Sequence, residues 1–191
     1  MTVRIVVPMR PLLEAKSRLG AALAPQARAA LALGMFRHVL DVAQRFAPTH
    51  VVSRDPALLA MAAQPLREAG QGLNPALEQA AAQLDGAEPV LALSADLPLL
   101  SADDLQAMAA LLDGADVVAA PDRAGTGTNA LLLARPGLIA YAFGEGSLAA
   151  HRAAAAVGGL RFALCERAGL ATDIDRPEDL ALLPPGLLSA A

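Results

Sequence analysis

Short, mostly apolar runs alternate with stretches of helical period along this chain, and that alternation restricts its fold more than any other feature. Val3 to Pro8 reads as a short continuous apolar strand, the kind covered on both faces, and His50 to Ser53 and Pro89 to Ser94 read as further strands. Pro25 opens a helix to about Phe46, with Leu31, Met35, Val39, Val42 and Phe46 as its buried stripe. Further helices are expected from Pro56 through Met61, Leu73 to Leu84, after Ser101, and Ser147 to Val157, with a last short one opened by Pro177. Ser101 is placed to cap its helix, with Asp103 and Asp104 in the first turn. Gln64 to Glu68, Asp116 to Ala120, Asn129 to Ala134 and Leu160 to Cys165 complete the strands, and Gly70 and Gly72 mark a break. Strand and helix in alternation specify an α/β domain with helices on both faces of a mostly parallel sheet. The pair joined with little helix between Ala120 and Asn129 makes that sheet mixed.

With 191 residues, 55% of them hydrophobic, the chain can bury one sizeable core, so a single domain over 1–183 and a tail over 184–191 are expected. A net charge of −4 argues against a duplex nucleic-acid binder, and one cysteine excludes an internal disulfide or a multi-cysteine metal site. Cys165 reads as a buried strand residue. No apolar run has membrane-spanning length, and the N-terminus enters a strand directly, so the reading is a soluble cytoplasmic protein.

In open α/β sheets ligands bind at the carboxyl ends of the strands, and the unusual polar residues gather there. Lys16, the only lysine among 15 basic Lys and Arg residues, follows the first strand with Arg18. Lysine is a compact point charge suited to clustered phosphate oxygens. Asp96 stands between an apolar strand and Leu97-Pro98-Leu99-Leu100, where a half-buried acid needs a cation, and Mg²⁺ suits a carboxylate acting beside phosphate. Asp173 and Asp175 point to one side of extended chain, so both can face one cation. The Gly125-Thr126-Gly127-Thr128-Asn129 turn offers N–H groups and hydroxyls to an anion, and Gly144-Glu145-Gly146-Ser147 leads into a helix N-terminus. Asn74 is either a helix cap or a site residue, and His151, one turn beyond Ser147, could contact a bound anion. No Ser/His/Asp, Cys/His or zinc-like grouping is present. Phosphate loops, one lysine and several acids without an evident base point to phosphoryl or nucleotidyl transfer.

In their order along the chain these pieces resemble the 2-phospho-L-lactate guanylyltransferase family of deazaflavin coenzyme F-420 biosynthesis. The resemblance runs from Val6 to about Leu183. It rests on Val7-Pro8-Met9-Arg10-Pro11-Leu12, Ala15-Lys16-Ser17-Arg18-Leu19, Gly72-Leu73-Asn74, Ala95-Asp96-Leu97-Pro98, Gly125 to Leu132, Phe143 to Ser147 and Asp173-Ile174-Asp175. It implies a Rossmann-like, three-layer nucleotidyltransferase fold, similar to the molybdenum-cofactor guanylyltransferases. Met9-Arg10-Pro11-Leu12 stands where those cousins carry a Gly-Gly-rich loop, and Arg10 where a Lys is common in the nearer branch. By resemblance, Pro8, Arg10, Lys16, Arg18, Gly72, Asn74 and Ala95 would bind GTP, with Lys16 and Asp96 catalytic. Asp96, Asp173 and Asp175 would hold Mg²⁺. Thr128, Gly144 and Ser147 would bind a phosphorylated three-carbon acid: 2-phospho-L-lactate, phosphoenolpyruvate or 3-phospho-D-glycerate. A different acceptor, such as a molybdopterin or sugar phosphate, and a non-catalytic nucleotide-binding protein are the alternatives. No nucleic-acid or membrane partner is expected, and any oligomer would be a homodimer.

Overall fold

Four of the seven strands are buried at every residue, which requires a sheet covered on both faces. A computed structural model describes residues 2–70, 72–84 and 88–186. In chain order these form β1 (Arg4–Pro8), α1 (Pro25–Phe46), β2 (Thr49–Ser53), α2 (Pro56–Leu59), β3 (Gln64–Arg67) and α3 (Leu73–Gln83). There follow β4 (Val90–Leu93), α4 (Ala102–Ala110), β5 (Val117–Pro121), β6 (Thr128–Leu133), α5 (Ser147–Val157), β7 (Phe162–Leu164) and α6 (Ala168–Ala171). The segments Leu12–Glu14, Ser17–Ala21, Leu111–Asp113 and Pro177–Leu182 are 3-10 turns.

The sheet order is β3-β2-β1-β4-β6-β5-β7, and β6 alone runs against its neighbours. The chain steps outward from β1 to β2 and β3, then places β4 on the other side of β1. Such a reversal opens a crevice beyond the carboxyl ends of β1 and β4. Because β6 is antiparallel, its first residues, Thr128 and Asn129, lie on the same rim as the last residues of β4 and β5.

Alternation within each strand divides the core between the two faces. Ile5, Val7, Leu91 and Leu93 pack with Phe36 and Val39 of α1 and Leu105 and Met108 of α4. Val6, Val90 and Ala92 pack with Leu77 and Ala80 of α3 and Ala155 of α5. On this second face the helices meet the sheet largely through alanine: Ala76, Ala80 and Ala81 of α3 and Ala155 of α5. Leu105 and Met108 follow the expected cap: Ser101 accepts from the Asp104 N–H at 3.3 Å, and Asp104 accepts from the Ser101 N–H at 3.0 Å.

The alternating order is as expected, and the differences are local. The helix after Pro56 stops at Leu59, two residues early. The expected strand from Leu160 is confined to Phe162–Leu164, because β7 is an edge strand paired only with β5. Cys165 lies just beyond it, buried, with its N–H bonded to Ala119 O. Helix α6 was not expected; it occupies the link between β7 and Asp173. Of the expected tail over 184–191, residues 187–191 lie outside the described residues.

Candidate active site

After β1 the chain turns through two 3-10 segments, and Lys16 between them has φ 54° and ψ 38°. It is the one non-glycine residue with positive φ among the described residues, a conformation that costs roughly 1–2 kcal/mol. Packing sustains it. Leu19, fully buried three residues on, meets Leu31 and Met35 of α1 and Ile174 from the far end of the chain. Ile174 separates Asp173 from Asp175, so burying its side chain turns both flanking carboxylates the other way. One apolar contact thus brings the lysine loop beside the acids.

The Lys16 ammonium donates to Asp96 Oδ2 and, at 2.9 Å, to Asp175 Oδ1, with 8% of the lysine side chain exposed. Arg18 reaches the other oxygen of Asp175 at 3.2 Å. Burial disfavours the lysine's charge, but the two carboxylates outweigh it and hold its pKa above the ordinary value. Oxygens of Asp96, Asp173 and Asp175 lie within 4.8 Å of one another. Asp173 is held above the usual carboxylate range by burial and by the charge of Asp96, against a 3.2 Å bond from the Asn129 amide. Three hard oxygen donors, one of them poorly tolerated as an anion, suit a small divalent cation.

The supports of this cluster are residues whose roles the sequence did not disclose. Asn129 donates to Leu170 O at 3.0 Å and Ala171 O at 3.3 Å as well as to Asp173, tying β6 to the end of α6. Asp179 accepts from the N–H groups of Asp175 at 2.9 Å and Arg176 at 2.7 Å, and pairs with Arg123. Burial works against the Asp179 charge, but the Arg176 and Asp175 N–H groups and Arg123 hold its pKa below the usual range. Asp104 pairs with Arg167 at 2.9 Å. A Cβ on Gly169 would overlap the Asp104 carboxylate and stand 2.7 Å from Leu99 O, so α6 seats against α4 only with glycine there. The one signal available in advance was the third position of the Pro177-Glu178-Asp179 turn.

A cleft of about 500 Å³ opens over the β1–β4 crevice, and Pro8, Arg10, Lys16, Arg18, Gly72 and Ala95 all line it. Asp96, Asp175, Arg54 and Glu68 line the same cleft. Asn74 stands apart. It is not the helix cap, since Gly72 holds that position with φ 96°; its side chain accepts from Phe143 N–H at 2.8 Å and donates to Phe143 O at 3.1 Å. The cap reading is corrected accordingly.

On the adjoining rim Ser147 begins α5 after Gly144 (φ 130°) and Gly146 (φ 70°), and its N–H bonds Gly144 O at 3.2 Å. Its hydroxyl is buried without a partner among the described residues. Thr128, the first residue of β6, is buried and bonds His151 Nδ1 at 3.1 Å. His151 does not face an open anion site: it is fully buried, and burial pushes its pKa down to about 4. The 125–129 segment includes the turn of the β5–β6 hairpin, and its Gly125 and Thr126 N–H groups are taken by Asp122 rather than left free for an anion.

Fold and site together define a nucleotidyltransferase domain. Solved structures share the fold: a Desulfovibrio desulfuricans protein assigned as a nucleotide-diphospho-sugar transferase aligns at TM-score 0.79, with 17% identity, 95% of this chain and 86% of that one. The CMP:2-keto-3-deoxy-manno-octonic acid synthetase complexed with CTP aligns at 0.61, with 14% identity over 95% of this chain and 96% of its own. Residues 3–184 match the family model described as guanylyl transferase CofC like, and the chain belongs to that family. A phosphoenolpyruvate guanylyltransferase of Rubrobacter xylanophilus is 45% identical over 96% of this chain and 94% of its own length. A 2-phospho-L-lactate guanylyltransferase of Methanocaldococcus jannaschii is 30% identical over 93% and 80%. The sequence resemblance is thereby borne out, and the protein is a nucleotidyltransferase of the guanylyltransferase kind.

Proposed function

We propose that this enzyme, acting as one domain over 1–183, moves GMP from GTP onto the phosphate of a three-carbon phospho-acid in coenzyme F-420 biosynthesis, with phosphoenolpyruvate the favoured acceptor. The observation that carries the reading is the convergence of Lys16, Asp96, Asp173 and Asp175 at the β1–β4 crevice. The preference for phosphoenolpyruvate rests on the higher identity to relatives of that name, 45% against 30% for those named for 2-phospho-L-lactate.

An oxygen of the acceptor phosphate attacks the α-phosphorus of GTP as the bond to the bridging β-oxygen breaks, and pyrophosphate leaves. The product is a diphosphate bridge. A phosphate with a second pKa of about 6 is already largely ionised at neutral pH, so the site needs no base and works by positioning and charge neutralisation. Lys16 and Arg18 place positive charge where the triphosphate enters. Asp96, Asp173 and Asp175 fit Mg²⁺, which when bound would neutralise phosphoryl oxygens and orient the leaving group. Gly72 and Ala95 let backbone approach the nucleotide closely, with Pro8 and Arg10 completing its pocket, while Asn74 supports it from outside by holding the Phe143 backbone. Thr128, Gly144 and Ser147 hold the acceptor, the unpartnered Ser147 hydroxyl being a donor ready for an anionic oxygen. Among the described residues no helix is long and apolar enough to cross a membrane, which fits an enzyme working on cytoplasmic small molecules.

The test offers GTP with phosphoenolpyruvate, 2-phospho-L-lactate, 3-phospho-D-glycerate or a sugar phosphate, each separately, and follows pyrophosphate release and product mass. Turnover with phosphoenolpyruvate and a product heavier by one GMP unit is expected. Turnover only with a sugar phosphate, or with no acid offered, refutes the reading.

A further inference from the structure

His151 has no route to solvent, yet both its ring nitrogens are committed, and this decides where its proton sits. The Ala142 N–H donates to Nε2 at 3.1 Å. A backbone amide can only donate, so Nε2 carries no proton, and burial keeps the ring neutral. The single ring proton is therefore on Nδ1, pointing at Thr128 Oγ1 3.1 Å away. Thr128 accepts that bond, and its own hydroxyl proton is left for another acceptor.

The surroundings hold this arrangement rigidly. Phe143 packs its ring against the imidazole at 5.2 Å, with an interplanar angle of 70°, and Asn74 clamps both backbone polar groups of Phe143. Leu148 N–H bonds Thr126 O at 3.2 Å, fastening the start of α5 to the turn that leads into Thr128. A threonine hydroxyl is otherwise a free rotor that donates or accepts as its neighbours dictate. Here the Nδ1–H fills one lone pair of the Thr128 oxygen, so the hydroxyl proton is not drawn to His151 and is free for an acceptor elsewhere.

We infer that His151 is a positioning residue which fixes the Thr128 hydroxyl as a donor toward an oxygen of the anionic acceptor. Phosphate and carboxylate oxygens accept and never donate when ionised, so a hydroxyl biased to donate favours them over neutral hydroxyl ligands. The inference rests on the reading of Thr128 as an acceptor-binding residue. It adds a residue that does not itself touch the substrate.

The experiment measures KM for phosphoenolpyruvate and for GTP in wild type, Thr128→Val, His151→Gln, His151→Asn and the double variant Thr128→Val/His151→Gln. Glutamine keeps an acceptor near Nε2 for Ala142 and loses the donor at Nδ1; asparagine keeps a donor near Nδ1. Expected is a rise of about tenfold in the phosphoenolpyruvate KM for Thr128→Val and for His151→Gln, with the GTP KM unmoved, as for one hydrogen bond to a charged group. The double variant should be no worse than Thr128→Val, and His151→Asn should recover most of the loss. Equal effects on both KM values, additive effects in the double variant, or no effect of His151→Gln while Thr128→Val is impaired overturns the inference and leaves the acceptor site standing. An unchanged phosphoenolpyruvate KM in Thr128→Val rejects the acceptor-site reading itself. Nitrogen-15 shifts of the His151 ring supply a measurement independent of folding in the variants: an Nε2-protonated tautomer also overturns the inference.

Discussion

Replacing Lys16 by methionine keeps the side chain's length and removes only its charge, and the structure sets the size of the consequence. The ammonium is 8% exposed, and its partners Asp96 and Asp175 are 24% and 39% exposed. Removing one member of a fully buried pair costs about 3–5 kcal/mol, whereas exposed pairs contribute roughly 0.2–1 kcal/mol. Partners this accessible place Lys16→Met between those limits, at about 2 kcal/mol. At 2–4 °C per kcal/mol for a chain of this size, melting should fall by about 4–8 °C. Thermal unfolding followed by circular dichroism near neutral pH reads this directly. Millimolar MgCl₂ should restore more of the melting temperature in the variant than it adds to wild type, because Asp96 and Asp175 no longer have the amine between them. Turnover, followed as pyrophosphate release, should fall by about 10²–10³-fold, the usual loss for one charge-stabilising donor. Lys16→Arg should also be severely impaired, since a planar fork does not replace a point charge among crowded oxygens. A Lys16→Met protein that melts with wild type and turns over normally would show the reasoning to be wrong.

Asp96→Asn removes one charge from the carboxylate cluster while keeping its shape; turnover should drop at least about 100-fold with secondary structure intact, and near-normal activity rejects its catalytic assignment. Ile174→Ala opens a cavity at the contact joining the lysine loop to the acids, and should cost about 2–4 kcal/mol in urea unfolding together with a loss of turnover, although Ile174 itself does not line the cleft. Gly169→Ala forces a methyl group against Asp104 and Leu99 O, for about 1–3 kcal/mol of destabilisation; stability equal to wild type contradicts the seating of α6. His151, with its pKa lowered from 6.5 to about 4 by burial, makes folding pH-dependent. The unfolded chain takes up this proton first as pH falls, so stability present above pH 6.5 is lost toward pH 4, roughly 2–3 kcal/mol by about pH 4.5, and His151→Asn should flatten that part of the urea-midpoint profile.

Much of this was written locally. Apolar runs and proline-led, serine-capped helices depend on neighbours a few residues apart, so element order, the mixed sheet and the capping of α4 were legible from residue types alone. So were the residues holding the charges, because a lone lysine and acids at strand ends are unusual in themselves. The pairing of those charges was not legible from spacing: Asp96 lies 80 residues from Lys16 and Asp175 lies 159. Only the sheet order, with β1 beside β4, and the meeting of Leu19 with Ile174 bring them to one crevice. The reversal of β6 is likewise what lifts Thr128 onto the same rim, and the committed ring of His151 depends on Ala142 and Phe143 arriving from a separate loop. The sequence determined which chemical groups this protein possesses and which local segments carry them. Long-range packing decided which of those groups face one another, because hydrogen bonding and charge pairing act over a few ångströms whatever the separation along the chain.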